Sequence, residues 1–148
     1  RHKGYAKALA ENLLQYNPDN VIWFHTEDRK IKPYSSVETM LNNGKKIDAI
    51  ACYNDQVAFG IYEKLVEMGL SVPEDISITG FDDSYYSTSC PVKLTSVSHP
   101  KELLGEMAAQ TLMEMIEKPE YAKSLIKKVI EPELVIRDSV LDRVKLNK

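Results

Sequence analysis

The chain has 148 residues, of which 43% are hydrophobic and 28% are charged, so it can bury the core of one ordinary domain. Its formal net charge of −3 leaves no broad basic face, which argues against direct nucleic-acid binding by this segment, because that binding depends on clustered Lys and Arg. No run of 18 apolar residues is present, so we expect no membrane span.

In chain order, the first third predicts helices that alternate with buried strands. Apolar residues at helical spacing predict a helix over 4–16. The continuous apolar runs at 21–24 and 47–53 predict two strands that are covered on both faces. Between them, Ser35-x-x-Glu38 has the form of a capping box, which predicts the start of a short helix.

The middle of the chain continues this rhythm and then changes. We expect a helix over 56–68 that Gly69 ends, a strand over 76–81, a polar loop over 82–93, a strand over 94–98, a helix over 101–116 and one or two closing strands within 125–137. Strands that alternate with helices are typical of a parallel sheet covered by helices. The predicted fold class is therefore α/β, with a parallel sheet flanked by helices.

Polar residues follow three of the predicted strands, at 25–28, 54–56 and 82–84. In open parallel sheets, ligands bind at the carboxyl ends of the strands. A carboxylate and an amide at neighbouring strand ends can accept and donate hydrogen bonds to several hydroxyls at once. The pattern therefore suits a polyol or a sugar, and a ligand that lacks one hydroxyl would leave a buried partner unpaired.

Each of these residues also has a simpler structural interpretation. Asn54 or Asp55 can cap the helix that follows. Residues 82–84 can form an ordinary turn, and His25 and His99 can be loop residues. The apolar stripe of the long helix is typical of a core or an interface.

The sequence contains none of the common catalytic signatures. It has no Gly-x-Ser-x-Gly elbow, no Gly-rich phosphate loop and no His-Glu-x-x-His helix, and its three histidines lack ligand spacing. Asp82 and Asp83 are adjacent, so they point apart and are poorly placed as an acid and base pair. Cys52 and Cys90 form no disulfide framework, which fits a reducing cytoplasm. We expect a binding protein that is not an enzyme and that needs no metal or cofactor.

Several blocks in the chain match a known family. Residues 48–60 read DAIACYNDQVAFG, and residues 69–83 read GLSVPEDISITGFDD. Further blocks are Arg1-x-x-Gly4-Tyr5, Leu94-Thr95-Ser96-Val97, Leu104-Gly105 and Ala108-Ala109. In order along nearly all of residues 1–138, these blocks resemble the effector-binding domain of LacI/GalR-type transcriptional repressors.

The resemblance implies a periplasmic-binding-protein-like (type I) fold, in which a small molecule binds between two α/β lobes. It implies that the chain is a truncated, partial effector-binding domain. Residues 1–97 and 126–148 would belong to the C-terminal lobe, and residues 98–125 would form the helix returning to the missing N-terminal lobe. The chain begins inside a helical pattern, so we expect its natural amino terminus upstream. The resemblance also implies a homodimer that contacts DNA only through a missing N-terminal domain.

The resemblance assigns ligand-binding roles to four residues. Arg1 matches the family's arginine that holds effector oxygens, Asn54 matches its amide contact, and Asp82 matches the carboxylate that accepts hydrogen bonds from sugar hydroxyls. His99 falls where some members place a polar contact near the hinge. Lys101 stands where a common family pattern has an aromatic residue, so that contact differs here.

Two short segments are similar to those of arabinose-type repressors: Tyr53-Asn54-Asp55 and His99-Pro100-Lys101-Glu102. The expected function is therefore an effector-sensing domain of a cytoplasmic repressor that binds a small sugar, such as the pentose L-arabinose, and controls DNA binding. The alternative is the periplasmic sugar-binding component of an ABC transporter, which shares the two-lobe design. A sugar-metabolising enzyme is a third, more distant alternative.

Overall fold

A computed structural model describes residues 1–118 and 127–142. The helices and strands are α1 His2–Glu11, α2 Lys32–Asn42, β1 Ala49–Ala51, α3 Asp55–Glu67, β2 Ser77–Phe81, α4 Tyr85–Ser89, β3 Thr95–Ser98, α5 Lys101–Glu117 and β4 Glu133–Val135, with short 3₁₀ turns at Pro18–Asn20 and Thr26–Asp28. The strands form one sheet in the order β1-β2-β3-β4. β1 and β3 both run parallel to β2, and β4 runs antiparallel to β3. The predicted α/β class, with a parallel-dominated sheet flanked by helices, is confirmed.

The core lies between β2 and the helices α3 and α2. Ile78 of β2 and Leu65 of α3 are fully buried, and Val37 of α2 is 1% exposed. The buried positions of α3 recur at helical spacing, which is why this helix turns one apolar face to the sheet. Full burial of a Val, Ile or Leu side chain in this core contributes about 1.5–3 kcal/mol to folding.

Two glycines allow close approaches within this core. Gly60 of α3 lies against the ring of Tyr34, and Gly80 of β2 lies against a carboxylate oxygen of Asp55, so an added Cβ at either glycine would overlap its neighbour. A third glycine, Gly69, has φ +77° and ends α3, while Leu70 N–H donates to the Leu65 carbonyl at 2.9 Å. This is the left-handed helix end that the sequence predicted.

Residues 21–24 differ from the prediction of a buried strand. They form no strand with the described part of the chain, although Ile22 and Phe24 pack against the core and Trp23 is 64% exposed. The apolar pattern sets which side chains turn inward, but a strand also needs a neighbour that completes its hydrogen-bond ladder. The prediction of a strand here is wrong for the described residues.

The predicted capping box at Ser35 and Glu38 is also wrong. α2 begins three residues earlier, at Lys32, and Pro33 lies in its first turn, the position that proline favours in helices. Ser35 is therefore inside the helix, where its hydroxyl donates to the Lys32 carbonyl at 3.3 Å.

Three smaller differences concern element bounds. α1 ends at Glu11 rather than at residue 16, because Leu13 adopts φ 58°. The expected polar loop after β2 contains the short helix α4. The closing strand is the three-residue β4, and residues 119–126 and 143–148 of the predicted lobe boundaries lie outside the described residues. In the described ranges, no helix has both the length and the apolar character of a membrane span.

Candidate functional site

Three of the predicted site residues follow three neighbouring strands. Asn54 comes shortly after β1, Asp82 directly after β2, and His99 directly after β3. Because β1, β2 and β3 are parallel neighbours, their carboxyl ends meet at one edge of the sheet. The candidate site is this edge.

Arg1 and His99 both converge on the carboxylate of Asp82. Arg1 Nη2 lies 3.2 Å from Asp82 Oδ1 and donates a hydrogen bond to it, and His99 Nε2 lies 3.7 Å from the same oxygen. Each of the three side chains is about one-third exposed, at 34% for Arg1, 33% for Asp82 and 32% for His99. The cluster therefore reaches solvent, and a ligand can contact it.

Two aromatic rings, those of Tyr53 and Phe81, contact this cluster. The guanidinium carbon of Arg1 lies 4.2 Å from the ring centre of Tyr53 and 4.0 Å from that of Phe81. The His99 ring stands 5.7 Å from the Phe81 ring. Such cation–aromatic contacts stabilise a guanidinium by about 0.5–2 kcal/mol. Tyr53 and Phe81 thus limit the freedom of Arg1, a role that strand and helix periodicity could not reveal.

Asn54 has a structural role, and its amide N–H groups have no hydrogen-bond partner among the described residues. Its Oδ1 accepts from the Val57 backbone N–H at 3.0 Å, so the interpretation of Asn54 as the α3 cap is confirmed. Among the described residues, its Nδ2 group donates to no partner and it makes no hydrogen bond to Arg1, Asp82 or His99. The amide N–H groups are therefore the part of Asn54 that a ligand could use.

Asp55 is fully buried and links the loop after β2 to β3. Its Oδ2 accepts from Ser84 N–H at 2.6 Å, and its Oδ1 accepts from the Ser96 hydroxyl at 2.6 Å. Ser96 Oγ in turn accepts from Asp83 N–H at 3.1 Å. Asp55 is fully buried, so it acts on the site through these hydrogen bonds rather than by touching a ligand. The sequence offered Asp55 only as a possible cap.

Asp83 is also held by an ion pair, and this pair is shorter and less exposed than the one between Asp82 and Arg1. Arg137 Nη2 lies 2.7 Å from Asp83 Oδ1, and the Ser87 hydroxyl donates to that oxygen at 2.8 Å. Burial alone would raise the pKa of Asp83, but the hydrogen bonds from Arg137 and Ser87 outweigh it and hold the pKa below its usual value. Of the two adjacent carboxylates, Asp82 is the one presented outward.

Other candidate groups do not join the cluster. Residues 25–28 follow no strand; they lie at an exposed 3₁₀ turn, and His25 is exposed. Burial raises the pKa of the Cys52 thiol to about 12 and that of Cys90 to about 11, so neither is a thiolate nucleophile at neutral pH. Within the described ranges, no three metal-ligating side chains gather in one place. The arrangement offers one carboxylate acceptor and several N–H donors, which is chemistry for binding hydroxyl groups.

The chain matches the model of the periplasmic binding protein-like domain over residues 1–140. It is 33% identical over 146 residues to the arabinose metabolism transcriptional repressor of Halalkalibacterium halodurans, covering 96% of this chain and 39% of that protein. It is 38% identical over 143 residues to the HTH-type transcriptional repressor PurR of Haemophilus influenzae, covering 95% of this chain and 41% of that protein.

Solved structures give the same result. A LacI family transcriptional regulator from Enterococcus faecium with bound ribose superposes with a TM-score of 0.76 at 28% identity, covering 93% of this chain and 49% of that one. The lac repressor dimer bound to operator gives a TM-score of 0.75 at 25% identity, covering 95% and 47%. The chain thus spans about two-fifths to one-half of the length of these relatives. It belongs to the family of periplasmic binding protein-like domains, and within it to the effector-binding domains of LacI/GalR-type transcriptional repressors.

Proposed function

We propose that this chain forms the C-terminal part of an effector-sensing domain that binds a small sugar and thereby controls DNA binding by a separate N-terminal domain. The observation that carries the proposal is the convergence of Arg1 and His99 on Asp82 at the carboxyl edge of the sheet. No covalent step is required, because the relatives described above are transcriptional repressors and the cluster supplies hydrogen bonds.

The charges of the cluster favour a neutral, polyhydroxylated ligand. The positive charge of Arg1 is balanced by Asp82, with which it forms an ion pair. A carboxylate can accept from two hydroxyls while the guanidinium donates to others, and charge-assisted hydrogen bonds of this kind are stronger than neutral ones. Asn54 would add donors through its Nδ2 group.

Within the sugars, we propose a pentose such as L-arabinose. Two of the relatives are arabinose metabolism repressors, the second being the protein of Geobacillus stearothermophilus at 36% identity. The structural neighbour from Enterococcus faecium holds ribose, another pentose. Other neighbours bind other ligands, among them a regulator in complex with cellobiose, so the titration below compares pentoses with other sugars.

We further propose that residues 1–97 and 126–148 belong to the C-terminal lobe and that residues 98–125 return to an N-terminal lobe outside this chain. Two observations support this division. No residue of α5 is buried, and its apolar side chains Leu103, Leu104 and Leu112 are 43%, 43% and 58% exposed, which fits a helix covered by another lobe. The strand β4 returns to pair with β3, the strand from which α5 departs.

In the proposed mechanism, the sugar changes DNA affinity by binding one arrangement of the lobes better than the other. The coupling is reciprocal, so DNA that favours one arrangement changes the affinity for the sugar by the same factor. We propose that the protein acts in the cytoplasm as a homodimer, as LacI-type repressors do. DNA contact would come from the N-terminal domain, since this chain has a net charge of −3.

The test is calorimetric titration of the complete polypeptide that the gene encodes with L-arabinose, D-ribose, D-glucose and cellobiose. We expect one site per chain, tightest for a pentose. Asp82→Ala should weaken binding about 100-fold, which corresponds to about 2.7 kcal/mol. Asp28→Ala, at the exposed 3₁₀ turn, serves as the control and should bind normally. Equal affinity of the wild type and Asp82→Ala would contradict the proposal.

The transporter alternative shares the fold and predicts different behaviour. A transporter component would carry a secretory signal upstream, and it would sediment as a monomer. The repressor proposal predicts a dimer by analytical ultracentrifugation and loss or gain of operator-region DNA binding on addition of the sugar.

A further inference from the structure

The loop that carries Asp82 has an unusual backbone. Asp82 has φ 97° and Asp83 has φ 42°, so two consecutive residues with side chains have positive φ, which most L-amino acids avoid. Such conformations persist only where the surrounding structure over-determines them, and they cluster at functional sites. The direction of the Asp82 carboxylate therefore depends on whatever holds this loop.

The backbone of the loop is held by three successive N–H groups. Asp82 N–H donates to the Val97 carbonyl at 2.9 Å, Asp83 N–H to Ser96 Oγ at 3.1 Å, and Ser84 N–H to Asp55 Oδ2 at 2.6 Å. These contacts tie the loop to β3 and to the start of α3. None of these three hydrogen bonds involves the side chain of Asp83, so other contacts must fix it.

Arg137, two residues after β4, fixes that side chain together with the Ser87 hydroxyl, which donates to Asp83 Oδ1 at 2.8 Å. Its Nη2 donates to Asp83 Oδ1 at 2.7 Å, its Nη1 donates to the Leu94 carbonyl at 2.7 Å, and its backbone N–H donates to Thr95 Oγ1 at 2.9 Å. Arg137 and Asp83 are each only 19% exposed, so water screens this ion pair less than a surface pair. Among the described residues, Arg137 forms no hydrogen bond or ion pair with Arg1, Asp82 or His99.

We propose that Arg137 is a positioning residue for effector binding: through its ion pair with Asp83 it holds the strained loop so that Asp82 faces Arg1 and His99. This inference rests on the proposed function, because it gives Asp82 the ligand-accepting role. Arg137 belongs to the last described segment of the chain, and Asp83 precedes it by 54 positions, so the site depends on a part of the chain far from it in sequence.

The first experiment is a double-mutant cycle on the complete polypeptide, with L-arabinose as the probe. Arg137→Met keeps most of the side-chain volume and removes the guanidinium, and it should weaken binding about 10-fold. Asp83→Asn, which removes the other half of the pair, should weaken it to a similar extent, while Arg137→Lys should fall between these variants and the wild type. Arg29→Met, at the exposed turn after Thr26–Asp28, is the matched control and should bind normally. In an Asp82→Asn background, Arg137→Met should have little further effect.

The second experiment needs no ligand. Hydrogen exchange of peptides that cover 80–90 should be faster in Arg137→Met and in Asp83→Asn than in the wild type, while peptides from α3 remain protected. Should Arg137→Met fail to fold, hydrogen exchange and sugar binding of Asp83→Asn and Arg137→Lys are compared with those of the wild type instead.

The outcomes separate the two proposals. If Asp82→Asn does not change binding, the proposed ligand role of Asp82 is wrong. If L-arabinose does not bind the wild type, the proposed pentose is wrong. In either case, hydrogen exchange still decides whether Arg137 holds the loop. If Asp82→Asn weakens binding but folded Arg137→Met and Asp83→Asn bind and exchange like the wild type, the inference is overturned and the proposed function stands. An Arg137→Met effect that persists undiminished in the Asp82→Asn background would also overturn it.

Discussion

The helices α3 and α5 start from equivalent places, after the carboxyl ends of parallel strands, and yet they end in opposite environments. α3 spans 13 residues, of which six are buried, whereas none of the 17 residues of α5 is buried. Both carry an apolar stripe, so local pattern accounts for the formation of each helix. Only contact with β2 and α2 makes α3 part of the core, and we propose that α5 finds its cover in another lobe.

The largest expected effect comes from deleting a leucine in each helix. In the 148-residue chain, Leu65→Ala in α3 should destabilise the fold by about 2–5 kcal/mol, because Leu65 is fully buried. Leu112→Ala in α5 should cost less than about 0.5 kcal/mol, because Leu112 is 58% exposed. Urea denaturation of both variants measures the difference.

The same two leucine substitutions, made in the complete polypeptide, test whether another lobe covers α5. If another lobe covers α5, the cost of Leu112→Ala should rise to about 2 kcal/mol there. An unchanged small cost in the complete polypeptide would argue against a covered α5.

A pair of glycine substitutions should have the next largest effect. Gly80→Ala would place a Cβ against Asp55, and we expect a loss of about 1–3 kcal/mol together with weaker effector binding, because Asp55 holds the Asp82 loop. In the 148-residue chain, Gly105→Ala in α5 meets nothing within 4 Å, so there it should stabilise the helix by about 0.5–1 kcal/mol. Thermal melts and sugar titrations test both variants. Unchanged stability and sugar binding in Gly80→Ala would contradict the close packing of Gly80 against Asp55.

A smaller effect concerns the pH dependence of the Asp83 ion pair. Because folding lowers the pKa of Asp83, its ionised form stabilises the native state above the unfolded pKa, and that stabilisation is lost as the pH falls through the folded pKa. The free energy of unfolding of the wild type should therefore exceed that of Asp83→Asn by about 1 kcal/mol near neutral pH. The difference should shrink as the pH falls below about 4. A difference that stays constant from pH 7 to about pH 3 would mean that the pair contributes no pH-dependent stability.

Patterns with a short period predicted much of this structure. The strands β1, β2 and β3 and the helices α3 and α5 were all expected, because hydrophobic spacing and helix-ending glycines act over neighbouring residues. The strand predicted at 21–24 was wrong because strand formation depends on a partner strand. The predicted start of α2 was wrong because Pro33 indicated the helix start better than Ser35 did.

The candidate site was less accessible to such reasoning. Asn54 and Asp82 could be placed at one sheet edge from the strand pattern, whereas the ligand roles of His99 and Arg1 came only from the family resemblance. The contact between Arg1 and Asp82 joins residues 81 positions apart. The supporting bonds from Ser96 to Asp55 and from Arg137 to Asp83 span 41 and 54 positions. No local pattern encodes contacts of that length, since they exist only after the sheet has formed.

The central claim is that Asp82, aligned by Arg1 and His99, accepts hydrogen bonds from the hydroxyls of an effector sugar. A crystal structure of the complete polypeptide grown with L-arabinose tests it most directly. We predict a sugar hydroxyl within hydrogen-bonding distance of an Asp82 carboxylate oxygen and a second one beside Arg1, with the Arg137 to Asp83 pair intact beneath them. A sugar bound elsewhere, or bound at this edge without contact to Asp82, would contradict the account.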